Sequence, residues 1–88
     1  MEIRVDPRVH TRHPEISDGD AISAWKNAIE FAQRYEESGA IIKVALGFDT
    51  SGRLLEMVAV SMDEGYELIY HAAKAKKKTL SELGMIGR

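Results

Sequence analysis

With 88 residues and 12 Lys or Arg against 14 Asp or Glu, net charge −2, the chain has room for one core and no second domain, and lacks the bulk positive charge of a protein that coats nucleic acid. A hydrophobic fraction of 44% with 30% charged residues is too apolar for a disordered chain. The absence of cysteine excludes a disulfide framework and a thiolate zinc site, and a cytoplasmic setting is expected.

Residues 2 to 9, EIRVDPRV, alternate Ile3 and Val5 and then meet Pro7, which predicts a short edge strand ending near the proline. No signal peptide is evident in this start, and no apolar run anywhere approaches the roughly 20 residues of a membrane span. HTRHPEISDGD reads as a polar loop in which Ser17 or Asp18 caps a helix, with Asp20 as a first-turn charge. From Asp18 to Glu37, Ile22, Trp25, Ala28, Ile29, Ala32 and Tyr35 recur at three- and four-residue intervals, which predicts one long amphipathic helix stopped near Gly39.

Residues 41 to 47, 53 to 61 and 65 to 72 are rich in β-formers and separated by DTSG and MDEG, which predicts a three-strand antiparallel meander. LSELGMI, after the lysine run, can make a turn or two of helix. The expected class is α+β in a single domain, 1 to 88: edge strand, long helix, meander packed on the helix, short C-terminal helix.

Side chains alternate across a strand, so parity sorts the meander into two faces. One collects Ile42, Val44, Leu46, Leu55, Met57, Ala59, Tyr66, Leu68 and Tyr70, the expected seat of the long helix. The other collects Ile41, Lys43, Ala45, Leu54, Glu56, Val58, Glu67, Ile69 and His71. A second hairpin turning about Asp63 and Glu64 sets Glu56 directly across from His71, at roughly 5 Å between strands. A first hairpin turning near Thr50 and Ser51 puts Ala45 opposite Glu56 and Lys43 one pleat away on the same face. A carboxylate, an imidazole and an amine would then share a patch suited to proton transfer at neutral pH. The same residues also fit an ordinary solvated sheet face, and Leu54, Val58 and Ile69 beside them suggest that the C-terminal helix or a partner covers part of it.

His10 and His13 flank the basic loop with no further ligands in sequence, so neither a metal nor another cofactor is expected. Lys74, Lys76, Lys77 and Lys78 form the one cationic cluster, either a solvated face or a set of phosphate contacts beside His71.

RHPEIS before a helix, then VALGFDTSGRLLEMVAV, then LIYHAAKA, resemble the BrnT-like small toxins of the RelE/ParE superfamily over roughly residues 12 to 78. The resemblance implies a RelE-like fold and a toxin that cuts messenger RNA without metal and is neutralised by a cognate antitoxin protein. It points to His13, Arg53 and Lys74 as matching site positions. Those toxins tend to carry an arginine where Ala73 aligns, and this chain instead offers His71.

The expectation is therefore a ribonuclease in which Glu56, His71 and His13 carry proton transfer and Lys43, Arg53, Lys74, Lys76 and Lys77 hold phosphate. The alternatives are a non-catalytic interaction domain that binds an antitoxin or a second copy of itself, and a gyrase-poisoning toxin of the same superfamily.

Overall fold

The computed structural model describes residues 2–84. β1 (Glu2–Val5) is followed by α1 (Pro7–Arg12), α2 (Asp18–Lys26), β2 (Ala28–Tyr35), β3 (Ile41–Phe48), β4 (Leu54–Met62), β5 (Tyr66–Lys74) and α3 (Lys77–Glu82). The strands form one five-stranded sheet in the order β1-β5-β4-β3-β2. β1 runs parallel to β5 and every other neighbour is antiparallel. The class is α+β, as expected; the number and order of helices differ from the expected layout.

Pro7 opens a helix. At N1 its missing N–H is no loss, and the Asp6 side chain accepts from the Arg8 N–H to cap the turn. His10 therefore lies on α1 and His13 is its C-terminal cap residue. Ser17 starts α2 with a reciprocal capping box, its hydroxyl accepting from the Asp20 N–H and the Asp20 carboxylate accepting from the Ser17 N–H, each at 3.0 Å.

The expected long helix stops at Lys26, and residues 28–35 are a strand. AIEFAQRY satisfies both periods: Ile29, Phe31, Gln33 and Tyr35 alternate with Ala28, Glu30, Ala32 and Arg34 as readily as they recur on a helix. β3 decides between them. Without β2 the outer edge of β3 would leave a row of N–H and C=O groups unpaired, and pairing β2 along it satisfies them.

α1 and α2 cover one face of the sheet. The core there joins Val9, Ile16, Ala21 and Ala24 to Ala45, Leu55, Met57, Ala59, Ile69 and Ala72. α2 sits so close to β3 that a Cβ on Gly47 would stand 2.0 Å from the Ala24 carbonyl oxygen. α3 lies on the other face, where Glu82 and Leu83 at its C-terminal end line a shallow groove with Ala32, Arg34 and Val44. It begins within the lysine run, earlier than expected; the end of the expected helix, Met85 and Ile86, falls outside the described residues.

Both hairpins turn through three residues, with Gly52 (φ 83°) and Gly65 (φ 93°) in the left-handed position. Leu46, and not Ala45, therefore faces Glu56. That one-residue offset reverses the expected faces of β3: Ala45 joins the core, and Lys43 points to the helical side, away from Glu56. In β5 a bulge shifts the register between Val58 and Ala59, so that Val58 faces His71 while Ala59 faces Ile69. Glu67 and Ile69 thereby turn to the helical side, and His71 stays on the face of Glu56.

Candidate functional site

Glu56 sits in the middle of β4 with its side chain 8% exposed and accepts from three donors. Oε1 takes the Lys76 backbone N–H and the Thr79 hydroxyl, each at 2.8 Å, and Oε2 meets His71 Nε2 at 2.8 Å. Lys76 caps α3 with no side-chain hydrogen bond, so the carboxylate of β4 serves as the missing cap. Burial pushes the Glu56 carboxyl up, but the donations from Lys76, His71 and Thr79 outweigh it and hold its pKa below the ordinary value of 4.5.

Glu56 lies across from Ala73, and His71 reaches it from two residues earlier on the same face; the expected direct pair is a diagonal one. An ionised carboxylate only accepts, so the His71 proton resides on Nε2 and a neutral imidazole presents Nδ1 as its acceptor. The ring is 28% exposed. β1 ends at Val5, opposite Ile69, and among the described residues no strand pairs with the outer edge of β5 beyond that point. His13 stands there, its ring 6.2 Å from that of His71 and edge-on to it. It is 34% exposed, with Glu15 Oε2 3.6 Å from its Nδ1. Two imidazoles, each beside a carboxylate, thus share one surface. Lys74, Lys76 and Lys77 are exposed where β5 leads into α3.

Two expected site residues stand elsewhere. Lys43 is paired with Glu67 at 2.5 Å on the helical side. Arg53 is held by Asp49 Oδ2 at 2.8 Å, the Glu15 carbonyl at 3.0 Å and Asp20 Oδ2 at 3.0 Å. Asp49, its side chain fully buried, also accepts the Ser51 and Arg53 N–H groups that close the β3–β4 turn. Burial pushes its carboxyl up, and the Arg53 backbone and guanidinium, with the Ser51 N–H, bring it below the usual range. Arg53 therefore ties the first hairpin to the start of α2.

Thr79 and Glu15 went unread in the sequence. A threonine one turn into a helix that follows a buried glutamate's strand gives no local signal; Glu15 was legible only as the neighbour of His13. Among the described residues no cluster of three His, Asp or Glu is placed to hold a metal ion. No described helix is long and apolar enough to cross a membrane. Comparison with protein-family models, with curated proteins and with solved structures finds no match for this chain.

Proposed function

We propose that this chain is a cytoplasmic, RelE-like small toxin of a toxin–antitoxin pair that cleaves messenger RNA without a metal, and that an antitoxin protein neutralises it. The observation that carries the reading is the pair of imidazoles, His13 and His71, set edge-on to each other, with His71 braced by a buried carboxylate whose other oxygen takes the Lys76 backbone N–H. Resemblance to the BrnT-like toxins supports it.

In this reading His71 Nδ1 takes the proton of a ribose 2′-hydroxyl. The 2′-oxygen attacks phosphorus, the bond from phosphorus to the 5′-oxygen breaks, and protonated His13 delivers its proton to that leaving oxygen. The products are a 2′,3′-cyclic phosphate and a 5′-hydroxyl, and no co-reactant is needed. Glu56 positions His71 and holds its tautomer, in place of acting on substrate itself. Lys76 and Lys77, exposed at the start of α3, offset the charge that builds on the phosphoryl oxygens, whereas Lys74 pairs with Leu55 and leaves β5 on the other face.

The test is inducible expression of wild type beside His71→Ala and His13→Ala, with growth and RNA integrity as readouts. Wild type should arrest growth and fragment RNA; each variant should lose about 100-fold or more of the cleavage. Undiminished cleavage in a folded His71→Ala protein overturns the mechanism. Arrest of replication with intact RNA would move the assignment to gyrase poisoning.

A second reading, a non-catalytic interaction domain, draws on the internal hydrogen bonds that hold Glu56 and Arg53 in place. Harmless expression of the wild-type chain would favour it.

A further inference from the structure

β2 closes one side of the sheet, and among the described residues no strand pairs with its outer edge. Which of its backbone groups point outward follows from the end of the ladder. The Glu36 N–H donates to the Ala40 carbonyl at 2.9 Å, so Glu36 is turned inward. With alternation, Arg34, Ala32 and Glu30 also bond to β3, and Tyr35, Gln33 and Phe31 offer their N–H and C=O groups to the outside. The Phe31 N–H bears this out: its partner is the carboxylate of its own neighbour Glu30, at 3.3 Å. Along the same edge Ile29, Phe31 and Tyr35 are 50%, 48% and 74% exposed.

Edge strands ordinarily deter pairing with lysine, proline or like charges. From 28 to 35 this strand has no lysine and no proline, and its charges are self-complementary. An antiparallel pairing with a second copy, centred on Ala32, sets Glu30 across from Arg34 of the second copy, twice by symmetry. Neither residue has an ion-pair partner among the described residues. Both would lie in non-hydrogen-bonded pairs, the class in which facing side chains come closest. The same register places Phe31 against Gln33, so that their outward N–H and C=O groups bond mutually, and brings Ile29 beside Tyr35.

We infer that the chain forms a two-fold symmetric dimer by joining β2 to β2 about Ala32, making one continuous ten-stranded sheet. This is independent of the ribonuclease reading, since His13 and His71 lie at the far side of the sheet.

The test measures self-association of the full chain by sedimentation, over roughly 1 to 500 μM. Wild type should dimerise. Glu30→Arg, which sets arginine against arginine at both ends, should raise the dissociation constant roughly tenfold. Glu30→Arg with Arg34→Glu should restore it, an effect that loss of folding cannot mimic. The register is read from single cysteines in a chain that has none. Ala32→Cys should oxidise to a disulfide dimer, its partner Cα being about 4.5 Å away. Arg34→Cys, about 14 Å from its own equivalent, should not. A wild type that stays monomeric, a charge swap that fails to restore association, or equal cross-linking at both positions each overturns the proposal.

Discussion

Two polar clusters flank β4, and they differ in what they leave free. Around Arg53, each guanidinium nitrogen has a partner: Asp49 takes Nε and also closes the turn, and the Glu15 carbonyl and Asp20 each take one of the terminal nitrogens. Around Glu56, the carboxylate is equally engaged, but the residue it holds is not, because His71 keeps one ring nitrogen and a quarter of its surface open beside His13. The first arrangement ties the β3–β4 turn to the start of α2 through all three guanidinium nitrogens. The second braces a titratable group while leaving it able to act, and charge alone would not have told the two apart.

Substitutions can break this contrast, and Asp49→Ala should do most damage. It removes a buried carboxylate that closes a turn and leaves Arg53 short of a partner, so urea unfolding should report a loss of about 3 kcal/mol. Glu56→Ala should follow, at about 2 kcal/mol, since it strips the cap from α3 and releases His71. Hydrogen exchange should show α3 opening in that variant while α1 and α2 hold.

Acid sharpens the same point. Because the folded-state pKa of Glu56 lies below its ordinary 4.5, its contribution is fully present above that pH and is lost as pH falls through the lower folded value. Denaturation midpoints taken from about pH 6 to pH 3 should therefore fall less steeply in Glu56→Gln than in wild type. An unchanged slope would mean that the carboxylate is no better held than in the unfolded chain. Thr79→Val removes one donor to the buried carboxylate and should cost about 1 kcal/mol. His13→Ala, losing only a partly exposed ring, should change stability by less than about 0.5 kcal/mol while cleavage is lost. A large stability loss there would make His13 structural.

The meander's existence was legible because three β-rich runs are separated by turn residues. Its register is legible too: in DTSGR and MDEGY the glycine is the third loop residue, which specifies three-residue turns, and the two-residue turns expected above differ by the one position that puts Lys43 on the opposite face. The bulge opposite Val58 and Ala59 leaves no comparable mark, since nothing in LIYHAA distinguishes a bulged strand from a regular one. The pairing of Glu56 with His71 was therefore anticipated from a register the protein does not use. The offset at the turn and the offset at the bulge add up to a whole pleat, and the two side chains meet again on one face.

Local chemistry by itself determined the caps at Asp6 and Ser17, the three β-runs of the meander and their turns, because each rests on interactions within a few residues. Tertiary structure alone decided that residues 28–35 become a strand, since AIEFAQRY suits both periods and only the open edge of β3 favours one. It alone brought His13 to His71 and Thr79 to Glu56, contacts set by where β1 ends and by which face α3 crosses. Such contacts join groups distant in the chain, and no spacing in the sequence encodes them.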